Sequence, residues 1–140
     1  MKLYVARHGQ TDWNVENKVC GSTNRPLTEQ GKEQAKALAE NMKDKDIDVI
    51  IASPMLRSMQ TAGAVSIATG IPVIMDERLR EHDYGEFEGF DRSKDEYWQQ
   101  KYLFATKFPK GESVLQLAHR VYSLLEDVKK AYGDKTVLLV

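Results

Sequence analysis

The sequence predicts an α/β fold in which a mostly parallel β-sheet lies between two layers of helices. Short apolar runs, each as long as a buried strand, recur along the 140 residues. Longer segments with apolar residues at helical spacing separate these runs. Alternation of strands with helices is typical of parallel βαβ units. We therefore predict a single three-layer α/β/α domain over residues 1–140.

Four strands are predicted from the apolar runs: Lys2–Ala6, Val49–Ala52, Val73–Met75 and Thr136–Val140. Polar residues follow the first strand as far as Arg25, and we interpret them as a long functional loop. In open α/β sheets the active site lies in the loops beyond the carboxyl ends of the strands. The loops after the first and second strands are therefore the places to look for chemistry.

The segments between the predicted strands contain residues that are typical of helix ends. Thr28 is a good N-cap for the first helix, and Gly70 is a suitable stop for the second. Ser53 and Pro54 are suited to the start of that second helix, as cap and first helical residue. Four helices are predicted. The first follows Thr28, the second runs from Ser53 to about Thr69, the third covers Lys94–Phe104, and the fourth runs from about Ser113 to Tyr132.

Composition excludes several classes of protein. Lysine and arginine number 20 against 21 aspartates and glutamates, so charge indicates neither nucleic acid nor a membrane as partner. No apolar run approaches the roughly 18 residues that cross a bilayer, and the N-terminus lacks a secretory leader. We therefore expect a cytoplasmic protein. Cys20 is the only cysteine, and the three histidines lack metal-ligand spacing, so we expect no metal and no other cofactor.

Two basic motifs follow the first two strands. Arg7, His8 and Gly9 come directly after the first, and Arg57 lies in the first turn predicted after the second. Arginine binds phosphate oxygens with two parallel hydrogen bonds, and neutral imidazole is a nucleophile. A helix N-terminus adds further attraction for an anion. Taken alone, each arginine fits a solvated surface charge equally well, and an isolated Arg-His-Gly recurs by chance.

A third motif, Leu79–Gly89, places several carboxylates on a loop. A carboxyl group beside bound phosphate can protonate a leaving alkoxide if its pKa is raised sufficiently. The five acidic residues considered are Glu81, Asp83, Glu86, Glu88 and Asp91, and most of them are expected to be solvated.

Together these motifs resemble the histidine phosphatase superfamily, which has the phosphoglycerate mutase-like fold. The resemblance covers nearly the whole chain, and its five stretches occur in the family's order. They are VARHGQTDWN (Val5–Asn14), PLTEQGKEQA (Pro26–Ala35), SPMLRSMQTA (Ser53–Ala62), LREHDYGEFEG (Leu79–Gly89) and GESVLQLAHRV (Gly111–Val121).

The resemblance implies a metal-independent phosphomonoester hydrolase that acts on a small phosphorylated metabolite. It implies that His8 accepts the phosphoryl group and that Glu81 donates the proton. The substrate-binding residues that it implies are Arg7, Arg57, Asn14, Gly21 and Ser22, with Gly21 and Ser22 lining the entrance through their backbone. By the same resemblance His82 and His119 have no catalytic role, and Cys20 is a bystander near the entrance.

The chain departs from the family in one respect. The family has a second active-site histidine just after the fourth strand, where this sequence ends at Val140. We therefore interpret the chain as C-terminally truncated or frameshifted, without the last strands and helix. Loss of one preorganised donor costs about 10²–10³ in turnover, which puts the activity of this chain in doubt. The first strand would become a sheet edge, which favours self-association.

Two alternatives stay open. A phosphoglycerate mutase of this family carries a long basic segment where only Phe90–Lys110 separates Gly89 from Gly111. This short segment fits a phosphatase better, and most of its aromatic side chains are predicted to be core residues, with one or two lining a pocket. The other alternative is a non-catalytic phosphate-binding domain, which would not need both His8 and Glu81.

Overall fold

The computed structural model describes residues 1–140 and contains a four-stranded parallel sheet. The strands are β1 (Lys2–Val5), β2 (Val49–Ala52), β3 (Val73–Met75) and β4 (Thr136–Leu139). Their order across the sheet is β1-β4-β2-β3, so the last strand lies between the first two. All three pairings are parallel, as the alternation of strands and helices predicts.

Five α-helices connect and cover the strands. They are α1 (Asp12–Val15), α2 (Glu29–Met42), α3 (Leu56–Thr69), α4 (Asp95–Lys101) and α5 (Val114–Ala131). Short 3₁₀ turns occur at Lys43–Lys45, Glu77–Leu79 and Gly85–Phe87. Thr28 caps α2 as predicted, and its hydroxyl accepts a hydrogen bond from the Gly31 N–H at 3.0 Å. Gly70 ends α3 with a φ of 77°.

The predicted start of α3 at Ser53 is wrong. The helix begins at Leu56, and Met55 before it has extended backbone and no side-chain cap. The Leu56 N–H donates instead to Oδ1 of Asn24 at 2.7 Å. A side chain from the distant first loop therefore satisfies the helix N-terminus, and this contact is not visible in the local sequence.

Two other boundaries differ from the prediction. The first loop contains the short helix α1, which Thr11 and Asn14 stabilise by reciprocal side-chain to backbone hydrogen bonds. The α4 helix ends at Lys101 rather than Phe104. As a result Tyr102 and Phe104 lie beyond the helix and are more than half exposed, so these two are not among the segment's core residues.

Side chains alternate across the two central strands and so fill two separate cores. Ile50 and Leu138 pack on one face in a cluster that includes Val65 of α3. Ile51 and Leu139 pack on the other face with residues of α5. The helices α2 and α3 therefore cover one face and α5 the other, which confirms the three-layer α/β/α architecture.

A third, aromatic cluster lies outside the sheet and contains Val19, Tyr84, Tyr97 and Phe108. Its rings make edge-to-face and tilted contacts with centroids about 5 to 6 Å apart. The burial of Tyr97 and Phe108 confirms the prediction for these two aromatic residues. The cluster joins the Leu79–Gly89 loop to α4 and to the first loop.

The strand β1 pairs only with β4 and forms one edge of the sheet. Val5 on this strand is 75% exposed. Self-association through the edge stays a prediction. None of the helices combines the length and apolar character that crossing a membrane requires.

Candidate active site

The fold brings His8 and Arg57 together at the carboxyl ends of β1 and β2, the two strands that flank β4. His8 follows β1, and Arg57 lies in the first turn of α3, which follows β2. The Nε of Arg57 donates a hydrogen bond to Nε2 of His8 at 3.2 Å. These two groups are 49 residues apart in the sequence, and the parallel arrangement of the sheet alone makes them neighbours.

Two hydrogen bonds define the tautomer of His8. Its Nδ1 lies 2.7 Å from the Gly9 carbonyl oxygen, which can only accept. Its Nε2 receives the Arg57 N–H, so it must be the unprotonated nitrogen. The ring therefore carries its proton on Nδ1, and the lone pair of Nε2 faces the guanidinium.

The surroundings of His8 favour the neutral ring. Burial lowers the pKa of His8 below its ordinary value of 6.5, and the positive charges of Arg57 and Arg7 lower it further. The Gly9 hydrogen bond and the Glu81 charge act in the opposite direction, but the net shift is downward. This downward shift favours the neutral imidazole, which is the form that can attack phosphorus.

Arg57 is held rigidly beside the histidine. Its side chain is buried, with only 1% of the residue exposed, so the interpretation as a solvated charge is wrong. Nη1 donates to the Thr23 carbonyl at 3.0 Å and Nη2 to the Gly21 carbonyl at 2.7 Å. The first loop therefore fixes the guanidinium in place and leaves its positive charge without a carboxylate partner.

Arg7 and Asn14 lie on the open side of His8. Arg7 is exposed and makes no hydrogen bond or ion pair within the chain. The Asn14 Oδ1 accepts from the Thr11 backbone N–H at 2.9 Å and from its hydroxyl at 3.0 Å. The Asn14 Nδ2 thus keeps both hydrogens for another partner, and both residues line the cavity around His8.

Glu81 reaches the same cavity from the loop that follows β3. Its side chain is exposed, and Oε1 accepts a hydrogen bond from the His82 backbone N–H at 2.8 Å. Four of the seven sequence-predicted site residues therefore line one cavity: Arg7, His8, Asn14 and Glu81. Arg57 lines the adjoining cavity on the other side of His8.

Gly21 and Ser22 are not among the residues that line the His8 cavity, and their place at its entrance stays a prediction. Their backbone N–H groups donate to the carboxylate of Glu88, at 3.0 and 2.7 Å. The Thr23 hydroxyl donates to the same carboxylate. Glu88 therefore holds the first loop through hydrogen bonds to three consecutive residues, and its carboxylate is not simply solvated. Ser22 lines a separate groove that it shares with Glu81.

The His8 cavity has a volume of about 260 Å³ and is strongly cationic. Besides Arg7 it is lined by Lys18, Arg92 and Lys101, against the single carboxylate of Glu81. Lys101 has no acidic partner and lies within hydrogen-bonding distance of the Tyr97 hydroxyl, at 3.1 Å. None of these three cations was predicted from the sequence, because Lys18 lies in the first loop and Arg92 and Lys101 near α4, and only the tertiary fold brings them to the cavity.

Thr61 is a further residue to which the sequence assigned no role. Its hydroxyl accepts from the Gly9 N–H at 3.1 Å and donates to the Arg57 carbonyl at 2.8 Å. One buried side chain therefore ties the loop after β1 to the first turn of α3. The position of Thr61 one helical turn after Arg57 was the available signal.

The remaining predicted bystanders are His82, His119 and Cys20, and of these only Cys20 lines the His8 cavity. His82 is buried, stacks near Tyr84 and lies 2.8 Å from the Glu112 carbonyl, while His119 is exposed on α5. Cys20 lines the cavity, but burial raises the pKa of its thiol, which disfavours the reactive thiolate.

The sequence matches the family model of the histidine phosphatase superfamily (branch 1) over residues 3–140. The chain belongs to this superfamily. "Probable phosphoglycerate mutase GpmB" of Enterobacter sp. (strain 638) is 36% identical to it, over 100% of the chain and 68% of that protein. The protein of the same name from Photorhabdus laumondii is 34% identical over the same shares.

Solved structures give the same result for the fold. Bacillus stearothermophilus YhfR superposes with a TM-score of 0.88 at 32% identity, covering 99% of the chain and 72% of that structure. Mycobacterial glucosyl-3-phosphoglycerate phosphatase Rv2419c superposes with a TM-score of 0.87 at 28% identity, covering 97% and 71%. These similarities confirm the predicted phosphoglycerate mutase-like fold and show that the chain is a member of a phosphatase and mutase family of enzymes.

Proposed function

We propose that the chain is a metal-independent phosphomonoester hydrolase that acts through a phosphohistidine at His8. The observation that carries this proposal is the unprotonated Nε2 of His8 beside the buried guanidinium of Arg57, in a cavity with four cationic side chains. A nucleophilic nitrogen and several positive charges in one place suit an anionic electrophile. A phosphate ester is such an electrophile.

In the first half-reaction Nε2 of His8 attacks phosphorus in line with the ester oxygen. The N–P bond forms as the P–O bond to the leaving group breaks. Arg57 and Arg7 stabilise the charge on the equatorial oxygens, and the Asn14 amide adds a neutral donor. Glu81 in its protonated form gives its proton to the leaving oxygen.

In the second half-reaction water attacks the phosphohistidine. The Glu81 carboxylate, which lost its proton in the first step, accepts one from the water. The N–P bond breaks, inorganic phosphate leaves, and the lone pair returns to Nε2. The chain's own residues thus account for every proton and bond, so the cycle requires no metal.

The positive charges that line the cavity favour a small substrate with several negative charges. Lys18, Arg92 and Lys101 line the cavity beyond the reacting groups and repel cationic ligands. The substrate class that we propose is a small phosphorylated metabolite.

Hydrolysis of 4-nitrophenyl phosphate in the presence of EDTA tests the proposal. We expect His8→Ala to lower turnover by about 10³-fold or more, since it removes the nucleophile. His119→Ala is the matched control because that histidine is exposed on α5, and it should keep the parent rate. Equal turnover in His8→Ala and the parent chain would contradict the phosphohistidine route. Vanadate binding without any hydrolysis would instead support a phosphate-binding domain.

A phosphoglycerate mutase is the second candidate, since the relatives at 34 and 36% identity carry that name. A mutase transfers the phosphoryl group of the phosphohistidine to a hydroxyl group of phosphoglycerate, whereas a phosphatase transfers it to water. Interconversion of the phosphoglycerate isomers faster than release of inorganic phosphate would favour the mutase.

A further inference from the structure

The Gly111–Val121 motif has no part in the reaction described above, yet two of its residues form a half-buried ion pair. The side chains of Arg120 on α5 and Glu112 just before it are only 21% and 18% exposed. Their contacts lead to the loop that carries Glu81. The inference below rests on the proposed role of Glu81 as the proton donor.

Arg120 uses all five of its N–H donors. Two go to the carboxylate of Glu112, from Nε and Nη2. The other three go to backbone carbonyl oxygens, those of Arg78 at 2.8 Å, Arg80 at 2.6 Å and Glu81 at 3.0 Å. One planar guanidinium therefore fixes three carbonyl groups within four consecutive residues.

Glu112 holds the next two residues of the same loop. Its Oε1 accepts from the Asp83 N–H at 3.1 Å, and its own N–H donates to the Asp83 carbonyl at 3.0 Å. Its carbonyl oxygen lies 2.8 Å from Nε2 of His82. Together with Arg120, it holds the backbone on both sides of Glu81.

The Glu81 side chain makes few contacts of its own. Its side chain is exposed, and the hydrogen bond that it accepts comes from the backbone of the adjacent His82. The location of its carboxyl group therefore depends on the backbone of its own loop. An acid that transfers a proton must lie within hydrogen-bonding reach of the leaving oxygen.

We propose that Glu112 and Arg120 are positioning residues, which clamp the 78–83 backbone and thereby hold the Glu81 carboxyl group against the leaving-group oxygen. Of the two proton transfers proposed for Glu81, a clamp of this kind acts on kcat/KM through the first, protonation of the leaving group. Attack by His8 at phosphorus does not depend on it.

Leaving-group dependence separates this role from general support of the fold. The full chain is assayed with glycerol 2-phosphate, whose alkoxide needs a proton, and with 2,4-dinitrophenyl phosphate, whose phenolate does not. Arg120→Lys keeps the charge but loses the planar fork of donors. We expect it to lower kcat/KM about 10²-fold for glycerol 2-phosphate and less than about 3-fold for the aryl ester. Glu112→Gln should show the same selectivity.

Two further variants complete the design. Glu81→Gln should reproduce the selective loss, and a non-selective loss there would overturn the proton-donor role itself. Asp127→Asn is the matched control, since it breaks an ion pair between α5 and Arg78 without touching residues 79–83. We expect this control to behave as the parent chain.

Amide hydrogen exchange provides a readout that does not require turnover. The Asp83 and Glu112 amides should exchange at least about tenfold faster in Arg120→Lys, because their region opens locally, and should be unchanged in Asp127→Asn. Unchanged exchange in Arg120→Lys would overturn the inference. So would an equal loss for both esters, or parent-like kinetics in Arg120→Lys beside a selective loss in Glu81→Gln.

Discussion

At the scale of single residues, the chemistry depends on the protonation of His8. Burial and two nearby arginines lower the pKa of this residue, so the folded chain stabilises the neutral imidazole. The Gly9 carbonyl places the remaining proton on Nδ1. Both effects leave the lone pair on Nε2, where it accepts the Arg57 N–H and from where it would attack phosphorus in exchange for that hydrogen bond.

We predict that His8 titrates below pH 6.5 and that Arg7→Gln moves its pKa upward. Removal of a positive charge near an imidazole makes the protonated form less costly, which sets the sign of the change. Arg7 is exposed, so the variant should fold normally. NMR titration of the imidazole C–H signals, assigned with His8→Ala, measures both values. A parent pKa above 6.5 would be inconsistent with this account.

Thr61 connects the nucleophile's loop to the helix that bears Arg57. We predict that Thr61→Val lowers the free energy of unfolding by about 1–3 kcal/mol, because it leaves the buried Gly9 N–H without an acceptor. Thr61→Ser retains the hydroxyl and should lose less. Urea denaturation of the three proteins provides the values, and equal stability of Thr61→Val and Thr61→Ser would refute the assigned role.

At the scale of elements, the site depends on a close approach between α2 and the loop after β1. A Cβ atom at Gly31 would lie 2.1 Å from the Gln10 carbonyl oxygen, and one at Gly9 would lie 2.3 Å from the Gly31 carbonyl oxygen. Neither position can carry a side chain without moving backbone. The two glycines therefore set how closely the His8 loop lies against α2.

A pair of glycine substitutions tests this contact. Gly31→Ala forces the loop away from α2, so we expect a loss of about 1–3 kcal/mol in stability together with lower turnover. Gly63→Ala lies in the interior of α3 with nothing within 4 Å of the added carbon. It should gain about 0.5–1 kcal/mol through its better helix propensity. Thermal or urea unfolding of both variants measures the difference, and a stabilised Gly31→Ala protein would contradict the argument.

At the scale of the whole molecule, most of the fold follows from the sequence. The apolar runs locate all four strands, and the alternation of Ile50 and Ile51 across β2 produces the two cores that make three layers. The start of α3 was not predictable, because its N-terminus is capped by Asn24 from another loop. Local signals at Ser53 could not reveal that long-range contact.

The site residues also fall into two groups, those that local motifs predict and those whose roles depend on contacts distant in the sequence. His8 and Arg57 were identified because each occurs in a recognisable motif after a strand, and Glu81 because its loop matches a motif of the family. The role of Glu88 in holding the first loop was not predicted, since a carboxylate that accepts from backbone N–H groups looks in sequence like any surface acid. Lys101 was missed for a similar reason, because its place in the cavity depends on how α4 packs.

The central claim is that the reaction passes through a covalent phosphohistidine at His8. The most direct measurement is to mix the chain with a phosphate ester, quench in alkali, where the N–P bond survives, and map the added phosphoryl group by mass spectrometry. Our account predicts the modification on His8, its absence from His8→Ala and its persistence in His119→Ala. Turnover of the ester with no phosphoryl group on His8, or with one on another residue, would contradict it.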